Sequence, residues 1–124
     1  MHTPTSPLSH AADHWASRAF YRFDDLPATE LPGGILRKEV TLGRVMLVWF
    51  RLPGGLLTDP EHCHPHEQVS YIVSGELEAT IGGKTRLCRP GGGYLVAPNV
   101  KHHIRVLSDC ECIDAFAPPR EDYL

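Results

Sequence analysis

The chain lacks the marks of several functional classes. Its longest apolar run is the six residues Val45 to Phe50, whereas a membrane-crossing helix needs roughly 20, so no membrane partner is expected. It has no basic stripe: Lys and Arg number 12 against 15 Asp and Glu, for a formal net charge of -3. Nucleic acid is therefore not an expected partner. The start of the chain shows no basic segment leading into an apolar stretch, so no secretory signal is read there, and the expected location is the cytoplasm. The four cysteines, Cys63, Cys88, Cys110 and Cys112, are accordingly read as free thiols. Cys110 and Cys112 are expected to be small, semi-buried hydrophobes on a strand. Helical periodicity is missing from the central region, and no internal repeat is evident.

Backbone punctuation is what the chain has in quantity. Gly and Pro number 11 each, heavy for a helical bundle yet below the ~25–30% of low-complexity chains. Its 124 residues set one domain as the expectation. Residues 1–17 read as a flexible, irregular tail with one helical turn near 11–19. His2, His10 and His14 lie there as solvated residues. From Ile35 onward the pattern is short strands cut by turns: 35–40, 44–51, 68–73, 76–81, 84–88, 94–97, 102–107 and 110–116. Gly82-Gly83 fits a two-residue hairpin, where both positions need positive φ. Many short, closely spaced strands indicate an all-β sandwich or barrel.

The chemistry gathers between Glu61 and Gly75, in the run EHCHPHEQVSYIVSG. His62, His64, His66 and Gln68 alternate, so an extended segment points them to one face. A second histidine source is His102-His103. Imidazole is the commonest biological metal ligand, and a set of His and amide donors suits a divalent transition metal. Strand parity separates the doublet: His102, Ile104 and Val106 share a face that is expected inside, which leaves Arg105 in water and His103 at a surface. The same parity turns Gln68, Ser70 and Ile72 inward. Ser70 is then either a hydrogen-bonding support for the ligands or a small residue filling barrel space. Pro65 disturbs the segment at His66, which is set outside the ligand set as a structural or supporting residue. Cys63, on the opposite face, is left out of the site.

These residues resemble the cupin superfamily. Its first motif, G-x5-H-x-H-x3,4-E-x6-G, is followed by His62, His64, Gln68 and Gly75. Its second motif, which opens Pro-Gly-Asp and closes on His, is similar to Pro90 through His102. Gln68 stands in place of the usual Glu, and Gly92 in place of the usual Asp. The resemblance spans about residues 33–117 and implies a cupin jelly-roll within a single domain from 18 to 124. It also implies a metal held by His62, His64, Gln68 and His102, with Zn, Ni, Fe or Mn as candidates. A neutral Gln leaves a divalent site more positive than Glu would, which favours an anionic small-molecule substrate.

The segment Cys112 to Leu124 looks like the tail of small cupins of the pectin-degradation type, which ketonise 4,5-unsaturated uronates. That resemblance implies Asp114 as catalytic acid/base, Phe116 as a wall for the sugar ring, and Arg120 as a catalytic residue that grips the substrate carboxylate. Ser70 joins the substrate-binding candidates. Parity alone leaves the Asp114 face open, because Ile113 and Ala115 make an equally plausible inner row. The rival readings are another metal-dependent cupin enzyme (a dioxygenase, lyase or isomerase) and a non-catalytic small-molecule-binding cupin. Val69, Tyr71 and Val73 make the strand of Gln68 apolar on its outer side as well. A second copy of the chain is expected to cover it, as in the homodimers usual among similar small cupins.

Overall fold

A computed structural model describes residues 19–58 and 61–124; the tail expected at 1–17 lies outside the described residues. The strands are β1 (Thr29–Leu31), β2 (Ile35–Thr41), β3 (Met46–Leu52), β4 (Glu67–Ser74), β5 (Leu77–Ile81), β6 (Lys84–Cys88), β7 (Gly93–Val96), β8 (His102–Val106) and β9 (Cys110–Ala117). They form two antiparallel sheets, ordered β1-β2-β3-β9-β4-β7 and β6-β5-β8. The expected all-β jelly-roll is what is found.

Local chemistry explains the boundaries. The β5–β6 hairpin closes from Ile81 to Lys84 through Gly82 at φ 55 and Gly83 at φ 84, the two-residue turn expected from the sequence. The strand expected at 44–51 instead starts at Met46, because the Leu42 N–H bonds the Val45 carbonyl at 2.9 Å and holds the preceding residues in a turn. Strand β1 was not expected. It is too short to show alternation, and it pairs with β2 across Pro32-Gly33-Gly34.

The inner row of β4 is Gln68, Ser70 and Ile72, alternating with exposed Val69, Tyr71 and Val73. The inner row of β9 is Cys110, Cys112, Asp114 and Phe116. This resolves the open parity in favour of Asp114. It also corrects the expectation for the thiols: Cys110 and Cys112 are each 1% exposed, because β9 lies between β3 and β4 in the middle of the larger sheet. Burial raises the thiol of Cys112, and that of Cys110 to about 11, so both remain protonated and inert at neutral pH. They pack with Leu52, Ile72, Leu77, Ala79, Cys88 and Val106 in the main core between the sheets. A smaller cluster of Met46, Val48 and Phe116 lies on the same inner face of the larger sheet.

Candidate metal centre and pocket

The two motif halves meet at one end of the sandwich. His62 and His102 form an isolated antiparallel bridge, with backbone N–H to carbonyl distances of 3.1 and 2.9 Å. Their rings lie 4.3 Å apart between centroids. The ring of His64 lies 4.8 Å from that of His102 and 6.5 Å from that of His62. Asn99, at φ 64, turns the chain into β8, and its N–H bonds the His64 carbonyl at 2.7 Å. Asn tolerates this left-handed conformation better than most residues.

Hydrogen bonds orient the ring nitrogens. Nδ1 of His64 lies 3.1 Å from the His66 carbonyl, and Nδ1 of His102 lies 2.9 Å from the Val100 carbonyl. A carbonyl only accepts, so each Nδ1 carries the proton and each neutral ring presents a bare lone pair on Nε2. Nε2 of His64 faces Oε1 of Gln68 at 3.0 Å. That amide is held the other way round by its NH2, which donates to Ser70 Oγ at 3.0 Å and to Asp114 Oδ2 at 3.3 Å. Two acceptors therefore point at each other. A second proton on His64, a cation bound by both atoms, or a reversed amide that accepts from the Ser70 hydroxyl would each relieve the clash. Burial, and next Arg120, hold His64 below its ordinary pKa, which disfavours the proton. Burial, and next His102, do the same for His62. Among the described residues no group of three or more His, Cys, Asp or Glu side chains is placed so that it could hold a metal ion. The donor chemistry nevertheless fits a divalent transition metal held by His62, His64, Gln68 and His102.

The other histidines lie elsewhere. His103 is on the far side of β8, where its Nδ1 is 3.4 Å from Glu61. His66 falls in the bend after Pro65. It is buried, and its Nε2 stands 3.7 Å from Glu121 at the C-terminal turn. Its contribution to the site is the carbonyl that orients His64. Cys63 is exposed.

Beside the imidazoles opens a pocket of about 190 Å³, whose lining includes His62, Gln68, His102, Asp114, Phe116 and Arg120. Asp114 is 5% exposed, and its Oδ1 has no hydrogen-bond partner among the described residues. Burial, opposed by the Ser70 hydroxyl and Arg120, pushes its carboxyl up to about 6. Ser70 Oγ accepts from the Gln68 amide and its hydroxyl bonds the Asp114 carboxyl. The guanidinium of Arg120 lies over the rings of Phe116 at 5.2 Å and Tyr123 at 4.6 Å. Its Nε and Nη2 are already donated to Asp122 at 3.0 and 2.9 Å.

Sequence reasoning missed three aromatic members of the pocket: Phe50, Tyr94 and Tyr123. Tyr94 was within reach, since it shares the parity of buried Val96 on β7. Tyr123 sits in a short 3-10 turn, Glu121–Tyr123, which has no period to read.

Comparisons with known proteins agree with this fold. A model of the cupin domain family matches residues 48–116. The pectin degradation protein KdgF of Dickeya dadantii (strain 3937) is 31% identical over 109 residues, covering 86% of this chain and 99% of that protein. The structure of KdgF from Halomonas sp. superposes with a TM-score of 0.79 at 29% identity, over 85% of this chain and 97% of that one. An RmlC-like cupin from Shewanella frigidimarina NCIMB 400 gives a TM-score of 0.80 at 28% identity, over 85% and 95%. The chain belongs to the cupin domain family and is similar to the small cupins of pectin degradation.

Proposed function

We propose that this cupin is an enzyme that ketonises 4,5-unsaturated uronates in pectin breakdown. The observation that carries the proposal is the buried Asp114 carboxyl, supported by Gln68 beside the imidazole cluster and opening on a pocket that also holds Arg120. The likeness to two KdgF proteins, one of them named for pectin degradation, supports the same substrate class.

The reaction needs proton movement and no net oxidation. The ring opens when the anomeric hydroxyl gives its proton to Asp114 and the C1–O5 bond breaks, its electron pair going to O5; Asp114 passes the same proton to O5, which leaves an aldehyde at C1 and an enol at C4–C5. The enol then loses its O–H proton and gains one at C4. Asp114 performs both transfers: its carboxylate takes the proton from oxygen and returns it to carbon. A group poised to titrate near neutrality suits that exchange. Phe116 walls the sugar ring. Arg120 holds the substrate carboxylate with the N–H groups that Asp122 leaves free, or by exchanging Asp122 for it. A divalent metal on His62, His64, Gln68 and His102 would supply a Lewis acid that fixes the substrate oxygens. The assay is the loss of the conjugated absorbance of a 4,5-unsaturated galacturonate monomer. The metal-loaded protein is expected to speed that loss well above the spontaneous rate, and no acceleration sinks the proposal.

The proposal extends to a cytoplasmic location and to a C2 homodimer. On the outer face of the larger sheet Val69 (54% exposed), Tyr71 (52%) and Leu95 (70%) lie side by side. Their row continues through Ala115 and Leu47. An apolar surface this continuous calls for a cover, and an isologous contact with a second copy provides one. Light scattering at micromolar concentration should give twice the 13.8 kDa of one chain, and a monomeric mass refutes the dimer.

A further inference from the structure

The pocket is rich in acceptors and poor in donors. Asp114 presents Oδ1, the oriented imidazoles present Nε2 lone pairs, and Gln68 presents Oε1. Arg120 already gives two of its N–H groups to Asp122. The reaction proposed above develops negative charge on an oxygen, which a hydrogen-bond donor held in place beforehand stabilises in addition to any cation on the imidazoles.

Three lining residues carry hydroxyls besides Ser70, namely Thr58, Tyr94 and Tyr123; Thr58 is bonded to the backbone of Ile104, and of the two tyrosines only Tyr94 stands in the row of Asp114. On β7, Tyr94 stands opposite Ser70 of β4, and Ser70 stands opposite Asp114 of β9. Phenol, hydroxyl and carboxyl thus form one inward row across three adjacent strands. The next row is Val96, Gln68 and Phe116, so Tyr94 neighbours the amide of the ligand set as well. The close approach is built into the backbone: a Cβ at Gly93 would collide with the Ser70 carbonyl, so only glycine before Tyr94 lets β7 lie this near β4. The ring packs against the main core, which fixes the position of its hydroxyl.

We propose that Tyr94 is a catalytic hydrogen-bond donor of this pocket, its hydroxyl bonding the substrate oxygen that becomes the enolate. The assignment rests on the ketonisation reading for its catalytic part. Tyr94 keeps its proton throughout. Asp114 carries the proton that moves, while the phenol stabilises the oxygen from which it has been taken. Burial, and next the nearby Asp114, raise the phenol well above its ordinary pKa against a hydrogen bond with the Ser70 hydroxyl, so it keeps its proton across the working range, and substrate takes the phenol's donor in exchange for Ser70. Ser70 is the positioning residue between them.

Tyr94→Phe is the test, because it keeps the ring in the core and removes only the hydroxyl. Metal content and melting temperature should match the wild type. In the absorbance assay kcat should fall about 10²-fold, the usual loss on removing one donor to a developing oxyanion. KM should rise no more than about 5-fold, the size of one ordinary hydrogen bond. Calorimetry with saturated galacturonate, which binds without reacting, should show about a 5-fold weaker complex in the variant. Unchanged kcat together with unchanged galacturonate affinity overturns the proposal, and so does a loss that follows lost metal or a lowered melting temperature. If the wild type fails to ketonise yet binds galacturonate more tightly than Tyr94→Phe does, the ketonisation reading falls and the donor assignment stands. If the wild type neither reacts with nor binds either sugar, both fall.

Discussion

Asp114→Asn is expected to lower kcat for unsaturated galacturonate by about 10²–10⁴, the range for losing a positioned acid/base, with KM little changed. Asn is nearly isosteric with Asp, so ground-state contacts survive while proton transfer does not. Bound metal should be retained, because Asp114 supports Gln68 without joining the ligand set. The pH profile gives a second reading of the same group. Burial places the folded carboxyl near 6 against an ordinary 3.8. The base form is therefore lost as pH falls through that region, and the wild type should show an acid limb in kcat/KM centred no higher than about 6. A bound cation pulls the limb lower. Stability moves in the opposite direction. Between 3.8 and about 6 the folded chain holds a proton that the unfolded chain has released, so this site makes the protein less stable as pH rises across that window. Metal-free wild type should lose stability from about pH 4 to pH 6 relative to Asp114→Asn, which lacks the titration. Full activity in the variant, with an unchanged acid limb, would remove Asp114 from the mechanism.

His102→Ala should empty the metal site, whereas His103→Ala should leave it filled. The two residues are adjacent in sequence and opposite in direction. His102 meets His62 and His64 edge to face, with its Nδ1 fixed on the Val100 carbonyl. His103 turns away to Glu61. Elemental analysis of protein purified without added metal should find about one equivalent of a transition metal in wild type and His103→Ala, and almost none in His102→Ala. The reverse pattern refutes the parity argument.

The shared face of His62, His64 and Gln68 was legible because alternate residues of an extended segment point the same way, whereas the arrival of His102 beside them was expected only from the resemblance to the second cupin motif. Spacing also separated His102 from His103, since Val106 behind the first is an unambiguous core residue. The same rule mishandles its neighbour. His66 shares the parity of His62, His64 and Gln68 and is buried, but the bend at Pro65 and His66 aims it at the C-terminal turn. The parity of β9 could not be read at all. That strand lies in the middle of a sheet whose outer face is also apolar, so Ile113 and Ala115 look as core-like as Cys112 and Phe116. Only the pairing with β3 and β4 decides it. Tyr94 and Tyr123 were missed for a different reason. Each is an ordinary aromatic until a partner from a distant strand or turn arrives: Ser70 beside Tyr94, and Phe50, Phe116 and Arg37 around Tyr123.

The central claim is that the imidazole–glutamine set and Asp114 work on one substrate in one pocket. Its most direct test follows the decay of the conjugated absorbance of 4,5-unsaturated galacturonate with three samples: protein as purified, protein stripped by a chelator, and stripped protein reloaded with one equivalent of divalent metal. The account predicts a rate well above the spontaneous decay for the first, collapse toward that decay for the second, and recovery in the third. Equal rates in the stripped and reloaded samples, or no acceleration in any of them, would contradict it.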